Sequence, residues 1–156
     1  MIKLNTKWLK IISLTAVFLA TILIISIFIA YQNYKPNDRI TLVQINGIEI
    51  KVEVASQPFE LYTGLSNRQS LCDTCGMLFI FKDSAERKFV MRNMNFPLDI
   101  IFINNGKIIK IAENLEPEGE SPQNIYSSDQ PADRVLELNA GFAALHQLQI
   151  GDLVKY

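Results

Sequence analysis

The sequence predicts a mainly β fold: a small antiparallel β-sandwich or barrel-like domain with one or two short helices, preceded by one transmembrane helix. Three observations support this prediction. An uncharged apolar run occupies residues 11–31, two Asn-Gly pairs each separate apolar segments, and short alternating segments recur up to the C-terminus. The chain has 156 residues, which fits one domain of ordinary size.

The apolar run at Ile11–Tyr31 is long enough for a membrane-spanning helix. About 20 residues, each rising about 1.5 Å, cross the roughly 30 Å hydrocarbon core. Trp8 and Tyr34 flank the run, as aromatic residues do at membrane interfaces. The run is longer than the apolar part of a signal peptide, and it ends in a poor cleavage site. We therefore expect an uncleaved anchor.

The charges around the run predict its orientation. Three lysines precede it, against Lys35 and Arg39 after it, and the positive-inside rule places the N-terminus in the cytoplasm. The chain is then a single-pass protein of the cell membrane. Its predicted segments are a cytoplasmic N-terminus at 1–10, a transmembrane helix at 11–31, a polar tether at 32–38 and an extracytoplasmic β-rich domain at 39–156.

The composition excludes one class of partner. All 16 acidic residues lie beyond Tyr31, and no basic stripe with interleaved aromatic residues appears. Nucleic acid is therefore not an expected partner. The expected partners are the membrane, through Ile11–Tyr31, and a small ligand or protein outside the cytoplasm.

The clearest strand signal lies at Ile48–Val54, where apolar and charged residues alternate without a break. Asn46-Gly47, directly before it, is a pair preferred in two-residue type I′ turns. Such a turn fixes the register of a hairpin. The predicted pairs on its apolar face are Ile45 with Ile48, Val43 with Ile50 and Thr41 with Val52.

Asn105-Gly106 predicts a second hairpin between Leu98–Ile103 and Lys107–Ala112. Both faces of this pair are apolar, so we expect both to be covered. Similar signals predict the other elements. These are strands at Gly76–Phe81, Lys88–Met94, Arg134–Leu138 and Asp152–Tyr156, a helix N-capped by Ser56 and ending at Gly64, a helix within Gly141–Leu148, and a long acidic loop at Glu113–Pro131.

A series of short motifs resembles the DUF192 family over nearly all of residues 40–154. The resemblance implies a small β-sandwich or barrel-like domain, often exported or membrane-anchored, and it implies no assigned activity. The motifs are Gly64-Leu65, Arg68, Leu71, Gly76-Met77-Leu78-Phe79, Phe89, Met91, Asn93, Pro97-Leu98-Asp99, Phe102, Val135-Leu136-Glu137-Leu138, Gly141 and Gly151-Asp152.

Three positions depart from the family pattern. Val90 stands where the family usually has Trp, Met94 where it often has Thr, and Ser66 where it often has Met. If the family Trp lines a ligand site, that site is altered in this chain.

Cys72-Asp73-Thr74-Cys75 is compatible with a disulfide, a redox pair or half of a metal site. Zinc needs four ligands, and His146 is the only histidine available to the two cysteines. A thioredoxin-like dithiol opens a helix, whereas this motif runs into an apolar strand. We favour a structural disulfide for Cys72 and Cys75, keep a redox pair as the alternative, and expect no bound metal or other cofactor.

Four polar residues within the family-like motifs are the ligand-binding candidates: Arg68, Asn93, Asp99 and Glu137. They could form a polar pocket that grips a small ligand by charge pairing and hydrogen bonds. The alternative is structural, with Arg68 and Asp99 paired or each capping a turn. Asp99 alternates with Leu98 and Ile100, so we expect it to point away from their face.

No catalytic motif appears, and we assign no catalytic residue. His146 lies between Leu145 and Leu148 and is interpreted as a half-exposed packing residue. The patterns favour a binding or accessory module over an enzyme. A thiol–disulfide redox enzyme using Cys72 and Cys75 is the alternative. Five residues are interpreted as core: Met77, Phe79, Phe81, Phe89 and Met91.

Overall fold

A computed structural model of the chain describes residues 6–32 and 39–156. The chain divides into two compact units, Met1–Pro36 and Asn37–Tyr156. The first unit contains helix α1, Thr6–Gln32, so the helix predicted over 11–31 lies within α1. Residues 1–5 and 33–38, which include parts of the predicted cytoplasmic segment and tether, lie outside the described residues.

α1 has 27 residues and carries no acidic residue in its first turn. Its described side chains, at positions 15–29, are exposed. Within the described part of the chain, no helix is both long and apolar enough to cross a membrane.

The second unit is a seven-stranded sheet that curls into a half-barrel, which agrees with the predicted mainly β, barrel-like fold. The strand order is β5-β4-β6-β3-β2-β1-β7, and a bridge between Lys107 and Leu153 joins the two edges of the sheet. The elements are β1 Ile40–Ile45, β2 Ile48–Ala55, α2 Pro58–Thr63, β3 Cys75–Phe89, β4 Leu98–Asn104, β5 Lys107–Leu115, β6 Tyr126–Asn139, α3 Phe142–Leu145 and β7 Val154–Lys155.

The two Asn-Gly hairpins are confirmed. β1 and β2 pair with Ile45 opposite Ile48 and Val43 opposite Ile50, as predicted. β4 and β5 pair around the second turn, with a register shift near Ile103. Asn46 and Asn105 both have positive φ, the backbone conformation that a type I′ turn requires.

The prediction of an entirely antiparallel sheet is wrong for one pair, because β2 and β3 run parallel. Parallel neighbours need a long crossover, and the chain between Ala55 and Cys75 supplies one that contains α2. The predicted N-cap of α2 is also wrong. Gln57 is the N-cap, and the Glu60 carboxylate accepts hydrogen bonds from the backbone N–H groups of Ser56 and Gln57.

β3 and β6 are longer than predicted. The separate strand predicted at Lys88–Met94 is wrong, because β3 continues through the charged segment to Phe89. The predicted loop over Glu113–Pro131 is shorter, because β5 extends to Leu115 and β6 starts at Tyr126. Two register shifts interrupt the pairing of β3 with β6 in the added part of these strands. Apolar and polar residues therefore do not alternate regularly there.

Two apolar clusters cover the two faces of the sheet. Leu78, Leu136 and Leu138 belong to the cluster inside the half-barrel, together with Phe142 of α3. Phe79 and Val135 point to the other face, together with Leu65 after α2. Successive residues of β3 and β6 therefore alternate between two buried environments. The outer of these two faces carries the cavity described next.

Candidate functional site

An open cavity of about 220 Å³ lies on the outer face of the sheet, next to α2. Its walls come from the end of α2 and the residues after it, from β3, from the segment that follows β3, and from one residue of β6. We call it the Glu137 cavity. It is lined by Leu61, Tyr62, Thr63, Gly64, Leu65, Ser66, Phe79, Phe81, Lys88, Phe89, Val90, Arg92, Met94 and Glu137.

Glu137 supplies the buried polar group of this cavity. Its side chain is 6% exposed, and its Oε2 atom has no hydrogen-bond partner among the described residues. Burial raises the pKa of the carboxyl to about 8, an effect that the charge of Arg68 opposes. At neutral pH the group is therefore mainly neutral, and it can donate as well as accept a hydrogen bond.

Gly64 lets the cavity reach this carboxyl. A side chain at Gly64 would approach the Phe79 ring at 3.2 Å and Oε2 of Glu137 at 3.8 Å. Gly64 also ends α2 with a positive φ of 51°, as predicted from its position. One residue thus terminates the helix and leaves open space above the carboxyl.

Arg68 lies near Glu137 but pairs with another carboxylate. Its guanidinium donates to both oxygens of Glu53 at 2.5 and 2.6 Å. That hydrogen bonding lowers the pKa of Glu53, partly offset by burial. Glu53 on β2 and Glu137 on β6 are both register partners of Met77 on β3. The two carboxyl groups therefore lie on the same face of the sheet, one on each side of Met77.

Cationic residues line the mouth of the cavity. The guanidinium of Arg92 stacks over the Tyr62 ring at 4.0 Å and donates to the Tyr62 carbonyl at 2.8 Å. Lys88 also lines the cavity, and its side chain is 64% exposed. Two cations therefore lie at the mouth, of which Lys88 is also 3.7 Å from the Glu86 carboxylate. The rest of the lining is mainly apolar, with Thr63, Ser66 and Glu137 as its polar members.

Asp99 does not belong to the cavity. Its carboxylate is fully buried and accepts hydrogen bonds from the backbone N–H groups of Asn114, Gly141 and Ala143. Asp99 is the register partner of Leu138, on the face opposite Glu137. The predicted orientation of Asp99 away from Leu98 and Ile100 is confirmed. Of the two structural alternatives, turn capping applies to Asp99, and pairing with Arg68 does not occur.

Asn93 does not line the cavity, but it lies between Arg92 and Met94, which do. It has a positive φ of 51°, its carbonyl accepts from the Asn67 N–H at 2.8 Å, and its N–H donates to the Gly119 carbonyl at 3.2 Å. These bonds hold the segment after β3 against the loop after α2 and against the loop between β5 and β6. The structure thus brings Arg68 and Glu137 together, places Asn93 in a supporting loop, and puts Asp99 on the other face.

The three departures from the family pattern all fall in this cavity. Ser66, Val90 and Met94 each line it. Val90 is half-buried, and the Ser66 hydroxyl donates to the Arg92 carbonyl at 2.8 Å. The departures therefore alter the shape of one site and are not scattered over the surface.

Cys72 and Cys75 form a disulfide, with their sulfurs 2.02 Å apart. Cys75 is the first residue of β3, and Asn139 donates to the Cys72 carbonyl at 3.0 Å. The disulfide borders a second depression of about 250 Å³. The depression is also lined by Ile40, Lys51, Val52, Glu53, Arg68, Ser70, Leu71 and Gly76.

Sequence reasoning missed most of the cavity wall. Phe79 is buried core as interpreted, but Phe81 and Phe89 are only half-buried and line the cavity. Lys88 and Arg92 around Phe89 were the available signal, because cations beside an aromatic residue are unusual in a core strand. His146 is half-exposed and packs against Phe142, as predicted.

A family model matches residues 41–156 of the chain. The family is DUF192, described as "Uncharacterized ACR". The match confirms the resemblance found in the sequence. A search of curated proteins found no match.

Two solved structures are similar to this chain. One is a protein of unknown function from Novosphingobium aromaticivorans, 32% identical, with a TM-score of 0.70 over 75% of this chain and 85% of that one. The other, from Sinorhizobium meliloti, is described as a "putative transcription regulator". It is 30% identical, with a TM-score of 0.72 over 78% of this chain and 97% of that one.

Proposed function

The chain belongs to the DUF192 family, and we propose that its β-domain is a binding module that takes a small ligand in the Glu137 cavity, held at the outer face of the cell membrane by the N-terminal helix. The observation that carries the binding proposal is the Oε2 atom of Glu137, which is buried and has no hydrogen-bond partner among residues 6–32 and 39–156. A buried, unpaired polar atom costs about 1–3 kcal/mol. A ligand that bonds this atom recovers that free energy.

The surrounding geometry supports a small-molecule site. Apolar walls with a few convergent polar groups are typical of ligand pockets. This cavity has aromatic walls, one buried carboxyl and cations at its mouth. Its openness to solvent gives a ligand direct access, since the lining residues Tyr62 and Lys88 are exposed.

Thermal stabilisation tests the binding proposal. The full chain in detergent is screened against small fragments, because a ligand that binds only the folded state must raise the unfolding midpoint. Val90→Trp fills the cavity and should abolish the stabilisation. Leu42→Trp is the matched control on the exposed part of β1, outside the cavity lining. Stabilisation that survives in Val90→Trp contradicts the assigned site, and a screen without any hit favours a protein partner.

The membrane proposal rests on the sequence of the N-terminal region. Residues 11–31 are uncharged and apolar, and more positive charges precede them than follow them. α1 covers this run, and its described apolar side chains are exposed. Exposed apolar side chains of this density are unfavourable in water and favourable in lipid.

Fractionation and a reporter fusion test the membrane proposal. We expect the chain to stay with membranes after alkaline carbonate washing. A C-terminal alkaline phosphatase fusion should be active, because that enzyme folds outside the cytoplasm. Release by carbonate contradicts the anchor, and an inactive but stable fusion contradicts the orientation.

Thiol–disulfide exchange is a second candidate function, favoured by the position of Cys72. This residue is exposed, and Lys51 and Arg68 line the depression beside it. Positive charges lower the pKa of a thiol and increase its thiolate fraction. Against this function, Cys75 opens a strand, so no helix dipole acts on the pair.

Equilibration with glutathione buffers, followed by alkylation, tests the redox candidate. A structural disulfide should stay oxidised at potentials down to about −300 mV, whereas an exchanging pair should be reduced well above that value. The matched control is the same chain unfolded in urea, in which the fold no longer holds the pair. If the folded and the unfolded chain are reduced at the same potential, the fold does not change the reduction potential of the pair, and the redox candidate is contradicted.

A further inference from the structure

We infer that the ligand of the Glu137 cavity is a compact aromatic anion: one ring, an acidic group at the cavity mouth, and a hydrogen-bonding oxygen that reaches Glu137. This inference rests on the proposed binding function and names the chemical class of the ligand. Three features of the cavity carry it, namely its walls, its carboxyl and its mouth.

The walls select a single ring. Phe79 and Phe89 meet edge to face with centroids 5.0 Å apart, and Phe81 lines the same space. Aromatic side chains arranged in this way offer both ring edges and ring faces to a third ring. The volume of about 220 Å³ sets the size. An apolar cavity of about 150 Å³ in another protein accommodates benzene, so this cavity has room for one ring with its substituents.

Glu137 selects an oxygen on the ligand. The residue is more than nine-tenths buried, and in the part of the chain that the structure describes no group forms a hydrogen bond with Oε2. A ligand hydroxyl suits this atom in either protonation state of the carboxyl, because a hydroxyl both donates and accepts. An entirely apolar ligand leaves Oε2 unpaired and forgoes that stabilisation.

The mouth selects an anion. The charged residues there are Arg92 and Lys88, and the Lys88 ammonium also lies 3.7 Å from the exposed Glu86 carboxylate. Arg92 is held in place by its stack on Tyr62 and its bond to the Tyr62 carbonyl. A fixed guanidinium presents parallel N–H donors that match a carboxylate. A cationic ligand meets Lys88 and Arg92 at the mouth instead, and is disfavoured.

Four probes separate these contributions in calorimetric titrations of the full chain in detergent. They are 4-hydroxybenzoate, benzoate without the hydroxyl, 4-hydroxybenzyl alcohol without the charge, and tyramine with the opposite charge. We expect 4-hydroxybenzoate to bind most tightly, with benzoate and the alcohol each about tenfold weaker, since about 1.4 kcal/mol corresponds to tenfold. Tyramine should show no binding at concentrations that saturate with 4-hydroxybenzoate.

A variant of Arg92 tests whether this residue binds the acidic group of the ligand. Arg92→Gln should reduce the advantage of 4-hydroxybenzoate over the alcohol about tenfold and leave its advantage over benzoate unchanged. Lys155→Gln, an exposed change on β7, is the control and should alter neither ratio. If the alcohol or tyramine binds as tightly as 4-hydroxybenzoate, or if Arg92→Gln changes neither ratio, the inference is overturned.

The experiments can refute the inferred ligand class and the proposed site independently. If none of the four probes binds, while some other fragment stabilises the chain and Val90→Trp abolishes that effect, the inferred class is wrong and the proposed site stands. If no fragment gives a Val90-dependent effect, both are wrong.

Discussion

The Asp99 carboxylate accepts a hydrogen bond from the backbone N–H of Ala143 at 2.8 Å. The same carboxylate also accepts from Gly141 and Asn114, and so ties α3 and the end of β5 to the middle of the sheet. Asp99 is fully buried. A charge in that position is tolerated because three N–H donors surround it.

Asp99→Asn is therefore expected to destabilise the β-domain. The asparagine side chain keeps one acceptor oxygen, but its NH₂ group replaces the other oxygen and faces a backbone N–H. Two donors then face each other, so at least one hydrogen bond is lost and replaced by repulsion. We expect a loss of about 2–4 kcal/mol, given about 1.5–3 kcal/mol for a hydrogen bond to a charged group. Urea unfolding followed by near-ultraviolet circular dichroism measures it. Asp73→Asn, an exposed turn residue, is the control. Equal stabilities of the two variants would refute the structural role of Asp99.

Gly76 is expected to tolerate no side chain. A Cβ there would lie 2.8 Å from the Glu137 carbonyl and 2.7 Å from the Leu138 side chain. The backbone oxygen belongs to the central β6 strand and cannot move without distorting the sheet. Gly76→Ala should lower the free energy of unfolding by about 1–3 kcal/mol or more. Gly119→Ala, with nothing within 4 Å of its Cβ, should leave it almost unchanged. A Gly76→Ala variant as stable as the original protein would show that β3 and β6 are further apart at this position than the distances above indicate.

The raised pKa of Glu137 predicts how stability depends on pH. In the unfolded chain the carboxyl titrates near 4.5, and in the folded chain near 8. Between these values the folded state holds the extra proton, so its stability must fall as pH rises from about 4.5 through about 8. The expected loss is on the order of 5 kcal/mol, at about 1.4 kcal/mol for each unit of the pKa difference. Glu137→Gln should remove this slope, and Glu49→Gln, an exposed control, should keep it. Urea midpoints from pH 5 to pH 9 test this, and parallel curves for all three proteins would contradict a buried carboxyl.

Arg68 is expected to moderate the titration of Glu137. Its charge lowers the pKa of that carboxyl against the effect of burial. Arg68→Gln should therefore raise the pKa of Glu137 further, as measured by NMR titration of the side-chain carboxyl carbon. The same variant should raise the pKa of Glu53, which loses its hydrogen-bond donors. Lys155→Gln serves as the control. An unchanged pKa for Glu137 in Arg68→Gln would mean that the two groups do not interact, and a lower one would contradict the direction of the effect.

Replacing both cysteines by serine is expected to weaken the fold only moderately. Cys72 and Cys75 are three positions apart, so the closed loop is short. Loop-closure entropy then gives about 2 kcal/mol. Calorimetric unfolding of the oxidised protein and the double variant measures the difference. A double variant that fails to fold would show that the disulfide determines more than the loop before Gly76.

The hairpins could be predicted in detail because their signals are local. Asn46-Gly47 specifies the turn, and the alternation in β2 specifies which side chains are buried. The resulting register is the one observed. The parallel pairing of β3 beside β2 depends on the crossover through α2, and no local pattern reports such a long-range arrangement.

The cavity could be predicted only in part, because its residues come together through tertiary packing. Glu137 was a candidate from its motif, yet its burial follows from the two-sided covering of β6. Asp99 was a candidate for the same reason, but its side chain lies on the opposite face of the sheet. The register of β4 against β6 determines this face, and the motif alone does not show it. Phe81 and Phe89 are typical core residues by composition, and their half-exposure results from register shifts in β3.

The central claim is that the Glu137 cavity is the ligand site, and NMR mapping tests it most directly. Small aromatic fragments are titrated into the isotope-labelled full chain in detergent. We predict that the shift changes concentrate on the backbone amides of Gly64, Leu65, Phe79 and Phe89, and that Val90→Trp abolishes them. Changes that map elsewhere on the β-domain, or that persist unaltered in Val90→Trp, would contradict the account.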